Sequence, residues 1–181
     1  MKQLRIILLL FSLLPSLTSA VERPLTPYKG EAKGFSLADQ KGNQHSLENY
    51  SGKVVLINFW ASWCPPCIHE MPELQRLKQH FHEQPFEIIT INVGEKKYKV
   101  RKFSKLINLK LPVLLDTKSN TYDQWGVKTL PTSFLLDAEG NIVYQVRGNP
   151  GWEQLETRKV ISDMMQSQEA TRDAPTKSLS Q

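Results

Sequence analysis

The chain contains two cysteines, Cys64 and Cys67, separated only by Pro65 and Pro66. A disulfide between them closes a loop of two intervening residues, so it removes little entropy from the unfolded chain and makes a poor staple. The same closeness suits a pair that opens and closes. Where a strand gives way to a helix at Cys64, the positive end of the helix dipole and its free N–H groups favour a thiolate. The thiolate is the attacking species in disulfide exchange. Cys67, one turn further, has its sulfur directed back toward Cys64 and away from solvent. Cys64 is then the residue that attacks a disulfide and Cys67 the one that resolves the mixed disulfide; the reverse steps oxidise a dithiol. An inert, permanent bridge is the alternative. A metal site needs one or two further soft ligands. His69 is adjacent and His45, His80 and His82 are present, but there is no second cysteine pair, so no metal or other cofactor is expected.

If Cys64 is the N-cap, Pro65 and Pro66 fill the first two helical positions, where proline is tolerated. Neither has an N–H. The nearest backbone donor to the Cys64 sulfur is therefore expected to be Cys67, and the thiolate is expected to be less stabilised than with another residue at 66. Glu70 lies three residues beyond Cys67 on the same helical face. Its plain alternative is a carboxylate that favours the first turns of a helix by charge. Trp63 is expected to be exposed and able to touch substrate, while Trp60 is either site wall or core.

The elements that position these residues follow from periodicity. Lys53 to Trp60 is apolar and β-branched apart from Asn58, as in a strand buried on both faces. From the cysteines to His82, Ile68, Met71, Leu74, Leu77 and Phe81 recur at helical spacing, with a kink expected at Pro72. Phe86 to Val93 is a second buried strand, Lys96 to Asn108 a helix, Pro112 to Leu115 a strand, and Ser119 to Trp125 a short helix. Thr132 to Leu136 and Asn141 to Val146 flank an Asp137-Ala138-Glu139-Gly140 turn. A closing helix runs from about Trp152 to Gln166. Ahead of all this, Phe35 to Leu37 and His45 to Leu47 bracket Asp39-Gln40-Lys41-Gly42 as a short hairpin. The β-α-β order requires parallel neighbours, and the late hairpin adds antiparallel strands. The expected fold is α/β: a mixed sheet flanked by helices on both faces, with an N-terminal β-hairpin.

At the ends, Lys2 and Arg5 precede an apolar run from Ile6 to Leu14 and a small-residue cleavage site ending at Ala20. Residues 1–20 are read as an export signal, which leaves a soluble protein if cleaved and a membrane-tethered one if retained, 21–34 as a linker, 35–168 as the folded domain and 169–181 as a disordered tail. Charged residues at 23% and apolar residues at 40% exclude a disordered chain and a multispan membrane protein. The mild net charge gives no argument for nucleic acid. It is nonetheless uneven: Lys96, Lys97, Lys99, Arg101, Lys102, Lys105 and Lys110 occur with no acid before Asp116. That run is either a solvated helix face or a docking surface for an acidic partner or anionic lipid.

FWASWCPPC at a strand-to-helix junction, with Leu130-Pro131-Thr132 before a hairpin, resembles the thioredoxin superfamily, and within it the TlpA/ResA-like exported thiol-disulfide oxidoreductases. The resemblance spans about residues 35 to 166 and implies a thioredoxin-like fold. It implies protein thiol or disulfide substrates, a periplasmic location, a monomer, a thiol-type membrane electron donor and a reductive role, for example in cytochrome c maturation. It implies that Glu70 assists proton transfer at the buried cysteine, because the acid of general thioredoxins is replaced here by Asn58. It also implies that Pro131 is a cis-proline and that the Leu130 backbone pairs with a substrate chain, with Trp63, Pro65 and Pro66 completing the substrate surface. Two other functions compete. A peroxiredoxin-like peroxidase would place its cysteine at Cys64, but Trp60-Ala61-Ser62-Trp63 lacks the Pro-x-x-x-Thr-x-x-Cys run. A copper-binding module on the same scaffold would bind without turnover.

Overall fold

In the computed structural model, residues 25–172 are described. The expected export signal and residues 173–181 of the expected tail lie outside them. In chain order the elements are β1 (Thr26–Glu31), β2 (Ser36–Ala38), β3 (Gln44–Ser46), a 3-10 turn (Leu47–Tyr50) and β4 (Val54–Trp60). They continue with α1 (Pro65–His80), β5 (Phe86–Val93), α2 (Lys97–Leu106), β6 (Val113–Asp116) and α3 (Asn120–Gln124), then β7 (Thr132–Leu136), β8 (Asn141–Arg147) and α4 (Leu155–Arg172). The main sheet has the order β1-β8-β7-β4-β5-β6. β5 runs parallel to both β4 and β6, and β7, β8 and β1 add antiparallel neighbours.

β4 is buried at every position, as its composition, apolar except for Asn58, requires of a central strand. Its side chains alternate between two cores. Leu56 and Trp60 join Met71, Leu74 and Leu77 of α1, Val100 of α2, and Ile161 and Met165 of α4. Val55, Ile57 and Phe59 face the other way, onto Phe35, Trp125, Phe134 and the half-buried Tyr122 of α3. Trp60 is fully buried and thus belongs to the core. Helices therefore cover both faces of a mixed sheet, and β2 and β3 form the expected hairpin. The carboxylate of Asp39 fixes its turn by accepting the backbone N–H groups of Lys41, Gly42 and Asn43.

Two boundaries differ from the sequence reading. Thr26–Glu31, expected within a linker, is an edge strand paired with β8. It is exposed at five of its six positions, so it carries no apolar alternation, and an edge tolerates its Pro27. α4 extends to Arg172 and so runs into the expected tail. Polar contacts help hold it there: the Gln168 side chain accepts the Ala138 N–H and donates to Glu139. α1 runs as one helix through Pro72, losing only the N–H that would reach the Ile68 carbonyl. No helix among the described residues is long and apolar enough to cross a membrane.

Candidate active site

β4 ends at Trp60, and a short turn delivers Cys64 to the N-cap of α1 with extended backbone angles. The Cys67 N–H donates to the Cys64 sulfur at 3.3 Å. Pro65 and Pro66 fill the first two helical positions and have no proton to give. The two cysteines are joined as a disulfide. Cys67 is fully buried and Cys64 nearly so, whereas Trp63 beside them is 64% exposed. One turn beyond Cys67, the Glu70 side chain enters the core and is fully buried.

Glu70 is held from two sides, one donor to each carboxyl oxygen. Asn58 of β4 donates its amide to one carboxyl oxygen at 2.7 Å, and the Trp152 indole N–H donates to the other at 3.0 Å. Asn58 also donates to the Ser133 hydroxyl at 2.9 Å. Burial pushes the Glu70 carboxyl up to about 7, against the opposing pull of those two donors and with a small upward push from Glu73. A carboxyl that titrates near neutrality can both take and return a proton. Glu73 fastens the same loop: its oxygens accept the Asn149 amide and the Trp152 backbone N–H, both at 3.0 Å.

A second buried carboxylate stands on the other side of the cysteine turn. Glu95 accepts the Ser62 backbone N–H at 2.6 Å, the Ser62 hydroxyl at 2.7 Å and the Asn92 amide at 2.9 Å, and it pairs with Lys99 at 2.7 Å. Burial alone would raise its pKa, but Asn92, Lys99 and Ser62 outweigh that and hold it at about 2. Glu95 therefore ties the start of the basic segment to the residue two positions before Cys64.

The Leu130–Pro131 peptide bond is cis. Trp63, Cys64, Pro66, Val93, Thr129 and Leu130 line a shallow, mostly apolar groove. Cys64, Trp63, Pro65, Pro66 and Leu130 thus share one surface, while Cys67 and Glu70 lie beneath it, and the buried Pro131 follows directly after Leu130. Sequence reasoning missed Trp152, Ser133 and Glu95. Trp152 sits 82 residues from Glu70, and only the folded loop brings them together. Asn58 stood out as a missing acid and turns out to be a donor. Among the described residues, no three His, Cys, Asp or Glu side chains converge as a metal would need.

Residues 29–145 match the model of the AhpC/TSA family. The chain belongs to this family. It is 41% identical over 135 residues to thiol-disulfide oxidoreductase ResA of Bacillus subtilis strain 168, across 75% of this chain and 72% of that protein. It is 38% identical over 125 residues to ResA of Geobacillus kaustophilus, across 69% of this chain and 72% of that protein. The crystal structure of StoA from Bacillus subtilis superposes with a TM-score of 0.62 at 30% identity, covering 71% of this chain and 97% of that one. With its CPPC pair at a strand-to-helix junction, this member of the family is a thioredoxin-like thiol-disulfide oxidoreductase.

Proposed function

We propose that the protein works outside the cytoplasm as a reductant of protein disulfides, with Cys64 as nucleophile, Cys67 as resolving thiol and Glu70 as its proton acceptor. In the reduced enzyme the Cys64 thiolate attacks one sulfur of a substrate disulfide, and the other sulfur leaves as a thiolate that is then protonated. Glu70 takes the proton of the Cys67 thiol. The Cys67 thiolate attacks the Cys64 sulfur, releases the second substrate thiolate and leaves the Cys64–Cys67 disulfide. Two electrons pass to substrate in all, and a thiol donor at the membrane restores the dithiol. Leu130 offers its backbone to the substrate chain, and Trp63, Pro65 and Pro66 supply the apolar contact. The export reading rests on Lys2, Arg5 and the run from Ile6 to Leu14. The resemblance to the TlpA/ResA-like group favours apocytochrome c cysteines as the substrate.

The direction rests on one observation: the Cys64 sulfur accepts the Cys67 N–H while Pro65 and Pro66 offer none. A poorly solvated thiolate makes the reduced form less stable and the couple more reducing; strong oxidants of this fold owe their potential to a stabilised reduced form. Equilibration with a thiol buffer tests this. A potential at or below about −230 mV is expected, and a value near about −120 mV would make the enzyme an oxidant instead.

A further inference from the structure

The exposed face of α2 concentrates the charge of the molecule. Lys96, Lys97, Lys99, Arg101, Lys102 and Lys105 are all exposed, and these six cations exceed the net +5 of the whole chain. Among the described residues, only Lys99 of these six has an ion-pair partner, Glu95. Val100 and Ser104 are buried on the opposite side of α2, and the Gln40 amide fastens Ser104 at 2.6 Å. Two large apolar side chains left exposed, Tyr98 at 72% and Leu106 at 79%, stand among the cations. Tyr98, Lys102, Lys105 and Leu106 follow at i, i+4, i+7 and i+8, which puts them on one stripe pointing away from the core.

We propose that this face of α2 docks on an anionic lipid bilayer. Five of the six cations are lysines. Lysine is depleted at protein–protein interfaces, where arginine is enriched. At an anionic membrane a flexible ammonium group serves well, because attraction there depends on charge near the surface rather than on bidentate geometry. A tyrosine and a leucine between the lysines can enter the headgroup region, where tyrosine is favoured. Through Glu95 and Ser62 the helix start is tied to the turn before Cys64, so the docking face and the cysteine turn are joined by direct hydrogen bonds. The inference stands whether or not the reductant reading holds.

The test is flotation of the full chain with vesicles of phosphatidylglycerol and phosphatidylcholine in equal parts, against vesicles of phosphatidylcholine alone. The apolar run from Ile6 to Leu14 contributes to both, so the ratio of the two partition coefficients isolates the charge-dependent part. Replacing Lys97, Lys102 and Lys105 by glutamine should lower that ratio by about fivefold per cation, roughly a hundredfold in all. Replacing Lys29, Lys33 and Lys53, which are exposed outside α2, should change it by less than about tenfold because these cations are spread out. Tyr98→Ser with Leu106→Ser should weaken binding about tenfold at unchanged salt dependence. Dithiothreitol should reduce each variant at the parent rate, which shows that it is folded. Equal losses in both lysine triples, or an unchanged ratio in the α2 triple, would overturn the proposal. So would an α2 triple that keeps its vesicle ratio but reduces an acidic protein disulfide more slowly, since the face would then be a protein dock.

Discussion

Glu70 and Glu95 are both buried carboxylates, one just after the cysteine pair and the other bonded to the turn just before it, yet their charge states are set in opposite directions. Glu70 receives two neutral donors, Asn58 and Trp152, and no cation, and its pKa rises to about 7. Glu95 receives a backbone N–H, a hydroxyl and an amide in addition to the Lys99 ammonium, and its pKa falls to about 2. Burial penalises both charges. The number of donors and one ammonium decide whether that penalty is overcome. The same side chain thus stands once as a carboxyl that titrates near neutrality and once as a fixed charge.

Glu70→Gln is the harshest test of this contrast. Glu70 has a folded pKa above its unfolded one, so the stability it contributes is full below about pH 4.5 and is lost as pH rises through about 7. Relative to parent, the variant should therefore be more stable by about 2–3 kcal/mol at pH 8 and little changed at pH 4 in denaturant titrations. Its rate of disulfide reduction should fall about a hundredfold and lose its inflection near neutrality. An unchanged pH profile would remove Glu70 from the chemistry.

Glu95→Gln should do the reverse. A depressed folded pKa contributes stability above about pH 4.5 that is lost as pH falls toward about 2. The variant should lose about 2 kcal/mol at pH 7 and approach parent stability in acid. Trp152→Phe sharpens the comparison by removing one of the two donors to Glu70 while keeping an aromatic ring in the core. The midpoint of the pH–rate profile should then rise by about one unit, the worth of a hydrogen bond to a charged group. A loss of stability with an unmoved midpoint would make Trp152 a packing residue only.

The smallest effect applies donor counting to sulfur. Pro66→Thr or Pro66→His supplies an N–H at the second helical position. The Cys64 pKa should fall, and the reduction potential should become less negative by about 30 mV, equivalent to about 1.4 kcal/mol. Thiolate absorbance that titrates where the parent does would show that the prolines do not control the sulfur.

What the sequence disclosed and what it concealed divide along the same physical line. Cys64, Cys67, the buried run of β4 and the helical spacing of α1 are local patterns, and local patterns carry their geometry with them. The N-cap position of Cys64 and the single donor from Cys67 could be deduced because proline lacks an N–H. Partners brought together by the fold leave no such mark. Nothing near Trp152 says that its indole ends on a carboxylate of α1, and nothing near Glu95 says that its oxygens will meet Ser62. β1 escaped for a related reason: it gains its order from pairing with β8, and pairing at an edge imposes no apolar code on the residues that do it.

The loop between β8 and α4 gives the molecule a timetable. A chain made from its N-terminus presents Cys64, Cys67 and Glu70 early, but the indole that partners Glu70 comes 82 residues later. Glu73 cannot close on the Asn149 amide and the Trp152 backbone until the same stretch has been made. Until the Trp152 stretch is in place, Glu70 lacks one of the two donors that hold it in the core.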